Sequence, residues 1–229
     1  GEIICDGNAD TRCSAEAHPE NAEDERCNGA DDDCDGRVDE DSDALVPVAG
    51  AGAVADFWMY AYEASRVDAT AEAAGESFAR ACSSPEVLPW ASVDYDTARV
   101  ACAAAGLSLC TGEQWSLACG AAAFPYGAAY QPNTCNGQDL DADPATPGNQ
   151  DHAVATGSLA RCVRGGVHDL SGNVWEWSLE DLSAEGDGSA RALRGGAFGN
   201  IAGGLTCGFR LAAPPAAARD NVGFRCCTP

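Results

Sequence analysis

Apolar residues recur with a helical period in two neighbouring stretches of the chain. In SVDYDTARVACAAAG (92–106) the small apolar side chains fall near one face, and Gly106 supplies a C-terminal stop. In CTGEQWSLACG (110–120), Thr111 is suited to the N-cap position and Gln114 completes the spacing of a capping box. The pattern therefore predicts two short helices that follow each other closely.

After residue 120 the apolar runs become short and irregular. Glycine, proline and asparagine dominate, and the remaining runs are VWEWSL, ARALRGGAF, CGFRL and VGFRCC. Runs of this length between turn-forming residues are typical of short strands joined by loops. Two helices followed by irregular strands indicate an α+β fold for residues 44–229.

The N-terminal region has a different composition from the rest of the chain. Residues 1–43 hold sixteen acidic residues and three arginines but almost no large apolar side chain. Such a segment cannot bury enough apolar surface to fold by hydrophobicity alone. Its four cysteines and a bound metal could supply what the core lacks. We therefore predict an acidic, cysteine-rich, metal-binding segment at 1–43 and a main domain at 44–229.

The stretch CNGADDDCDGRVDEDSD (27–43) has acidic residues at alternate positions, followed by a glycine. Alternate oxygens can converge on one hard cation while Gly36 permits the sharp turn. The predicted calcium ligands are Asp31, Asp33, Asp35, Arg37 and Asp39. Ser42 stands where an EF-hand has its glutamate, so flanking helices are not implied.

This pattern resembles the cysteine-bracketed acidic metal-binding repeats of secreted bacterial proteins. The stretch CDGNADTRC (5–13) resembles a degenerate first copy of the same repeat. The alternative interpretation is a disordered acidic linker, because acidic segments with few apolar residues are commonly unfolded.

Composition and charge exclude several classes of function. The 229 residues carry a formal charge of −23, which would repel the phosphates of a nucleic acid. All 13 basic residues are arginines, so neither a Schiff-base lysine nor a P-loop lysine exists. The chain has no apolar run of about 18 residues, so we do not expect it to span a membrane.

Thirteen cysteines in an acidic, Gly/Ala-rich chain favour disulfides over buried free thiols, and an oxidising compartment. We therefore expect a secreted, periplasmic or cell-surface protein whose signal peptide has been removed. Because thirteen is odd, one thiol is free or pairs between chains, which permits a disulfide-linked dimer. The expected pairs are Cys27–Cys34, Cys5–Cys13, and one pair among Cys119, Cys135 and Cys162.

Seven blocks of sequence occur in a recognisable order. They are YEASRVDAT, PWASVDYDTARVACAAAGLSLCTGEQWSLACG, FPYG, CNG, GVHDLSGNVWEWSLE, RALRGGAF and NVGFRCC. Together they resemble the formylglycine-generating enzyme (sulfatase-modifying factor) family over about residues 57–227, and the block at 167–196 is the most specific. The resemblance implies a variant of the C-type lectin fold with little regular secondary structure and with bound calcium.

The resemblance also implies where calcium binds. The ligands carried over to this chain are the Asp169 side chain, the Gly172 and Val174 carbonyls and the Glu176 carboxylate. Two carboxylates and the carbonyls of a tight turn suit a divalent hard cation. A second family site would use Asn136 and the Gly137 carbonyl, so we expect one to three calcium ions in all. We expect Arg194 to be a buried structural arginine that pairs with Glu176 or Asp169.

Enzymes of this family oxidise a substrate cysteine to formylglycine with copper and oxygen, and they use two cysteines five positions apart. The aligned stretch here, GGLTCGFRLAAPP, places Thr206 and Leu211 at those positions. Cys207 is one residue away, which in an extended strand faces the opposite side. We expect Cys207 to bond Cys226 or Cys227, with a free thiol or a metal ligand as the alternatives.

The leading hypothesis is a secreted, calcium-stabilised binding or structural protein whose formylglycine-generating-enzyme-like domain is non-catalytic. Loops 127–158 and 197–220 would present its surface for an unknown extracellular ligand, either a protein or a glycan. The first alternative is a copper-dependent thiol oxidase that acts on a cysteine in a protein or peptide through Cys207 and an unexpected partner. The second alternative makes residues 1–43 a calcium-dependent adhesion or spacer module at the cell surface.

Overall fold

The computed structural model describes residues 3–6, 10–13, 25–27, 39 and 42–229, the first two ranges as backbone. Within them the helices are α1 (Tyr95–Ala104) and α2 (Gly112–Cys119), and a 3-10 turn spans Ala202–Leu205. The strands are β1 (Ile3–Asp6), β2 (Asp10–Cys13), β3 (Leu45–Val48), β4 (Phe57–Tyr60), β5 (Ser108–Leu109), β6 (Val163–Arg164), β7 (Val167–His168), β8 (Trp175–Asp181), β9 (Arg191–Arg194), β10 (Arg210–Ala213), β11 (Val222–Phe224) and β12 (Cys226–Cys227).

Both helices form where the apolar period predicts them, and side chains cap their first turns. At α1 the Asp94 carboxylate accepts the Thr97 N–H at 2.8 Å. At α2 the Thr111 hydroxyl accepts the Gln114 N–H at 3.0 Å, and the Gln114 side chain accepts the Thr111 N–H at 2.9 Å. This reciprocal pair is the predicted capping box. Among the residues described, no helix has the length and apolar character needed to cross a membrane.

Two four-stranded sheets form the body of the domain. The first sheet has the order β10-β9-β8-β11 and is antiparallel except for the parallel pair β8–β11. The second sheet has the order β3-β4-β12-β5 and is antiparallel. Only Arg225 separates β11 from β12, so this residue links the two sheets. The architecture is the predicted α+β fold with short, irregular strands.

An aromatic core packs between the first sheet and α1. Trp90 meets Phe224 edge-on with 5.5 Å between ring centroids, and Tyr95 meets Trp177 in the same way at 5.8 Å. Such pairs contribute about 0.5–1.5 kcal/mol each beyond the burial of their area. Because side chains alternate along a strand, β8 turns Trp177 toward this core and Glu176 toward α2.

Ten of the thirteen cysteines form disulfides within the described residues. The pairs are Cys27–Cys82, Cys102–Cys226, Cys110–Cys227, Cys119–Cys207 and Cys135–Cys162. The last pair confirms the one expected among Cys119, Cys135 and Cys162. The predicted Cys5–Cys13 pair and the side chain of Cys34 lie outside the described side chains.

The predicted Cys27–Cys34 pair is wrong, because Cys27 bonds Cys82 in the main domain. Polar contacts join the same regions, since Arg80 Nη1 donates to the Asp39 carbonyl at 2.9 Å and the Asp39 N–H donates to the Glu25 carboxylate at 2.9 Å. Cys27 therefore ties the acidic segment to the main domain and does not close a loop inside that segment.

The predicted bond from Cys207 to Cys226 or Cys227 is also wrong. Cys207 bonds Cys119 at the end of α2, and its N–H donates to the Ala123 carbonyl at 2.8 Å. The reason is topological: β12 lies between β4 and β5 in the second sheet, so Cys226 bonds Cys102 of α1 and Cys227 bonds Cys110 directly after β5. Cys207 thus joins the loop before β10 to the end of α2.

Candidate functional site

The loop from Asp169 to Asn173 joins β7 to β8 through left-handed backbone, with φ of 59° at Asp169, 85° at Gly172 and 58° at Asn173. At Gly172 no side chain fits, because a Cβ would lie 2.1 Å from the Asn136 carbonyl oxygen. The Asn173 N–H donates to that carbonyl at 2.8 Å, and the Gly172 N–H donates to the Gly195 carbonyl at 2.9 Å. The turn therefore packs directly on the segment that carries Asn136, so the residues of the two predicted family sites adjoin each other.

The Glu176 carboxylate is buried and engaged by two donors. Arg225 donates to one oxygen through Nη2 at 2.8 Å and through Nε at 3.1 Å. Trp115 of α2 donates its indole N–H to the other oxygen at 2.8 Å. Arg225 also donates to the carbonyls of Tyr60 and His168, at 2.9 and 2.8 Å. Breaking a buried, hydrogen-bonded ion pair of this kind by removing one partner costs about 3–5 kcal/mol.

Two further carboxylates lie in the same interior. Glu63 accepts the Val174 N–H at 3.0 Å and the Asn173 side-chain amide at 2.5 Å. Asp169 accepts the Gly157 N–H at 2.7 Å. Both side chains are buried. The turn is therefore enclosed by acidic groups on both sides, each held by backbone or amide donors.

The charge of this interior is unbalanced. Among the residues described, Glu63, Asp169 and Glu176 share the single guanidinium of Arg225. Burial raises the pKa of Glu63 well above its ordinary range, and the charges of Asp169 and Glu176 raise it further. Burial also raises the pKa of Asp169, against the lowering effect of its backbone hydrogen bond. Three carboxylates against one cation leave an excess of two negative charges, which protons or a divalent cation could neutralise.

Asn136 lies beside the turn and carries an unused acceptor. Its side-chain nitrogen donates to the Asn173 side-chain oxygen and to the His152 carbonyl, both at 2.9 Å. Its Oδ1 is buried and accepts no hydrogen bond from the described residues. A buried polar atom without a partner costs about 1–3 kcal/mol, and an amide oxygen is a ligand that calcium prefers. The residues present at Asn136 and Gly137 therefore fit a hard cation.

Within the described part of the chain, one group of three His, Cys, Asp or Glu side chains is close enough together to hold a metal ion. The ligand atoms of Cys27, Asp43 and Cys82 lie within 4.8 Å of one another. Two of these atoms are the sulfurs of a disulfide, so they cannot act as thiolate ligands. An ion at the turn carrying Asp169 and Glu176 would consequently need backbone carbonyl or amide oxygens in addition to the carboxylates.

Of the five ligands predicted for the calcium loop of the acidic segment, Asp39 is the one that the structure describes. Asp31, Asp33, Asp35 and Arg37 lie outside the described residues. Asp39 is buried with φ of 58°, and its N–H donates to the Glu25 carboxylate at 2.9 Å. Arg80 Nη1 lies 3.8 Å from Asp39 Oδ2. Calcium binding by this loop stays a prediction.

The predicted pairing of Arg194 with Glu176 or Asp169 is wrong. Arg194 lies opposite Glu176 in the register of β8 and β9, but Arg225 and Trp115 already bond the Glu176 carboxylate. Arg194 instead extends along β8 and donates to Glu180 at 2.5 Å. It is nevertheless buried, as expected.

The stretch aligned with the copper-binding cysteines of the family carries no free thiol within the described residues. Leu211 packs against the aromatic core, and Thr206 is half-buried. The neighbouring sulfur of Cys207 is bonded to Cys119. Copper(I) prefers thiolates, and a disulfide sulfur is not one.

Sequence reasoning missed Glu63 and Arg225, which hold the acidic interior together. Glu63 interrupts the apolar run FWMYAYEA, and Arg225 stands inside the run VGFRCC. A charged residue within an apolar run is the signal that could have found them, because such residues are seldom fully buried unless they are paired.

Two curated relatives match part of the chain. It is 33% identical over 152 residues to "Inactive C-alpha-formylglycine-generating enzyme 2" of Bos taurus, a match that covers 61% of this chain and 50% of that protein. The protein of the same name in Mus musculus is 32% identical over 152 residues, covering 61% of this chain and 48% of its own length. The chain thus spans about half the length of the curated relatives it matches.

Solved structures support the fold. "Treponema denticola variable protein 1" superposes with a TM-score of 0.56 and 13% identity, covering 81% of this chain and 91% of its own. PvdO from Pseudomonas aeruginosa also superposes with a TM-score of 0.56, at 16% identity, covering 80% and 90% of the two chains. Residues 32–228 match the family model described as the sulfatase-modifying factor enzyme 1-like domain. Because this match covers most of its length, the chain belongs to this formylglycine-generating-enzyme-like family.

Proposed function

We propose that this chain is a secreted, calcium-stabilised binding or structural protein whose formylglycine-generating-enzyme-type domain is non-catalytic. One observation carries the proposal: the Cys207 sulfur is committed to a disulfide with Cys119, while Thr206 and Leu211 occupy the positions of the family's copper-binding cysteines. Without a thiolate pair, the soft ligands that copper(I) requires are missing from this stretch. The printed name of the mammalian relatives, inactive enzymes of this family, supports the same conclusion.

Calcium is proposed to stabilise the fold at the turn between β7 and β8. The Asp169 and Glu176 carboxylates with the Gly172 and Val174 carbonyls would hold one ion, and Asn136 with the Gly137 carbonyl would hold a second. Three buried carboxyl groups facing one guanidinium, and the unpaired Oδ1 of Asn136, support this assignment. Because Arg225 already bonds Glu176, an ion there would share this carboxylate with the guanidinium.

A secreted location is supported by the disulfides. Five of them brace the described residues, and such bonds persist in oxidising compartments. A domain braced by covalent bonds and ions can carry long loops without losing its fold, which suits a binding role. Within loop 197–220, Ile201 is 68% exposed and Phe209 is 39% exposed, so this loop offers apolar contact area to a partner.

The chemical part of the proposal is tested by incubating the purified chain with copper, oxygen and a cysteine-containing peptide. We expect mass spectrometry to find no formylglycine, and non-reducing peptide mapping to find Cys119 bonded to Cys207. Formation of formylglycine, or a free Cys207 thiol that binds copper(I), would establish the alternative, a copper-dependent thiol oxidase.

The calcium part is tested separately by thermal unfolding with and without a chelator. If the free calcium concentration is a hundredfold above the dissociation constant, bound calcium contributes about 2.7 kcal/mol. For a chain of this length, that corresponds to a fall in Tm of about 5–10 °C on chelation. A Tm that does not respond to the chelator would contradict stabilisation by calcium.

A further inference from the structure

A cavity of about 1010 Å³ lies between α2, the first sheet and the loop that follows β3. Thr111 and Gly112 line it at the start of α2, Gly120 lines it at the end of that helix, and Glu180 of β8 forms part of its floor. This volume is at the upper end of the range for small-molecule sites. The residues that line it are different from the predicted calcium ligands.

Three of the thirteen arginines line this cavity, in a chain whose formal charge is −23. Arg194 and Arg210 face each other across β9 and β10, and Arg164 lies on β6. Glu180 accepts a hydrogen bond from Arg194 at 2.5 Å and also forms an ion pair with Arg210. Glu113 and Glu180 line the same cavity, so three arginines against two glutamates leave a formal charge of +1, which is still more positive than the net charge of the chain indicates.

Two of these arginines keep unused hydrogen-bonding capacity. Arg194 is only 6% exposed, and its Nε is buried without a partner among the described residues. The backbone of Arg164 pairs with Val167 in β7, but its exposed guanidinium forms neither an ion pair nor a hydrogen bond with the described part of the chain. An acidic ligand would satisfy the exposed guanidinium of Arg164, because charge-assisted hydrogen bonds to guanidinium groups are among the strongest in proteins.

The guanidinium groups of Arg194 and Arg164 lie near opposite ends of α2. A Cβ on Gly112, at the start of the helix, would lie 2.8 Å from Arg194 Nη2. A Cβ on Gly120, just after the helix, would lie 2.4 Å from Arg164 Cζ. The helix has eight residues, so its ends are about 12 Å apart. Apolar side chains line the cavity as well, including Val54, Leu117 and Leu179.

The cavity does not lie on the face that carries the family's thiol positions. Across β9 and β10, Arg210 is paired with Arg194 and Leu211 is paired with Leu193. Side chains alternate along a strand, so the arginines point into the cavity while Leu193 and Leu211 pack against the aromatic core. A ligand in this cavity would therefore be separate from the region of the family's chemistry.

We propose that the cavity binds a small aliphatic dicarboxylate, a ligand class that rests on the binding role proposed above. One carboxylate contacts Arg194 and Arg210, and the other contacts Arg164. The planar guanidinium matches a carboxylate in a bidentate manner, and the apolar lining suits a methylene chain. The overall negative charge of the protein disfavours more highly charged ligands such as polyphosphates.

The experiment is calorimetric titration of the full chain with adipate and with hexanoate, the monoacid of equal chain length. We expect adipate to bind saturably and at least about tenfold more tightly than hexanoate. Arg164→Gln should reduce the affinity for adipate to that for hexanoate, because it removes one of the two carboxylate contacts. The matched control is Arg99→Gln, which removes the same charge from the exposed face of α1 and should leave the affinity within about twofold.

Three results would overturn the proposal. Failure of adipate binding to saturate at millimolar concentration would reject the dicarboxylate site. Equal weakening by Arg164→Gln and Arg99→Gln would show attraction to general surface charge instead of a site. Tighter binding of inorganic phosphate than of adipate would also reject a dicarboxylate. Both variants replace exposed side chains, so they should fold, and none of these outcomes alters the copper or chelator tests above.

Discussion

Replacing both Cys119 and Cys207 by alanine should lower the free energy of unfolding by about 3.6 kcal/mol. The value follows from the connectivity of the chain. Cys119 lies close after Cys110, Cys207 lies shortly before Cys227, and Cys110–Cys227 is itself a disulfide. In the unfolded chain, the Cys110–Cys227 disulfide already connects Cys119 to Cys207 through about 30 residues. The loop that the Cys119–Cys207 bond closes therefore has about 30 residues, and its length sets the loss of chain entropy. The full sequence separation of 88 residues would give a larger value, about 4.6 kcal/mol.

The assay is unfolding in guanidinium chloride without reductant, compared between the parent chain and the double alanine variant. Replacing both cysteines avoids leaving a reactive thiol behind. Thr206→Ala is the matched control, because the Thr206 hydroxyl makes only a long contact of 3.5 Å to the Gly203 carbonyl. We expect this control to change the free energy of unfolding by less than about 0.5 kcal/mol.

An unchanged free energy of unfolding in the double variant would refute the reasoning. It would show that Cys119 and Cys207 are not bonded in the native protein. Cys207 would then be a buried thiol beside the position of the family's copper ligand, and the main argument for a non-catalytic domain would fail. A loss near 3.6 kcal/mol should appear in thermal unfolding as a fall in Tm of about 7–14 °C.

Three further predictions concern the buried interior and the helix cap. Glu176→Ala should abolish most of the fall in Tm caused by a chelator, which thermal unfolding of the variant with and without chelator checks; an undiminished fall would place the ion elsewhere. Arg225→Gln should destabilise the chain by about 3–5 kcal/mol in denaturant unfolding, because it leaves Glu176 and Glu63 buried without their cation; a loss below about 1 kcal/mol would contradict this role. Thr111→Ala should cost about 1 kcal/mol in the same assay through loss of the capping box, and no loss would show that the cap is dispensable.

Local features were predictable from the sequence because their causes are local. The capping box depends on two side chains three residues apart, so Thr111 and Gln114 could be read directly. The disulfides depend on which distant segments the sheets bring together, and spacing carries no such information. Cys27 and Cys34 are seven residues apart, yet Cys27 meets Cys82 because the chain passes beside it in the fold.

The candidate site was predictable only in outline. The turn at 169–173 was recognised from the family pattern, and its left-handed residues agree with the Ser-Gly-Asn sequence. The partners of its carboxylates come from far away in the chain: Arg225 is 49 residues from Glu176, and Glu63 is 110 residues from Asn173. The sequence therefore suggested Glu176 or Asp169 as the partner of Arg194, because all three residues lie in the recognised block.

The first sheet shows how this fold can be held together independently of the side chains at the family's thiol positions. Its two faces have separate tasks, since Leu193, Leu211 and Trp177 pack into the aromatic core while Arg194 and Arg210 line the cavity. Leu211 is partly buried against that core, so it contributes less than the about 1.5–3 kcal/mol that full burial of a leucine side chain gives. A reactive thiol at the same position would give less apolar burial and would need access for substrate. Under the proposed non-catalytic function, a leucine at this position packs the sheet that carries the opposite, arginine-lined face and so supports a scaffold that binds.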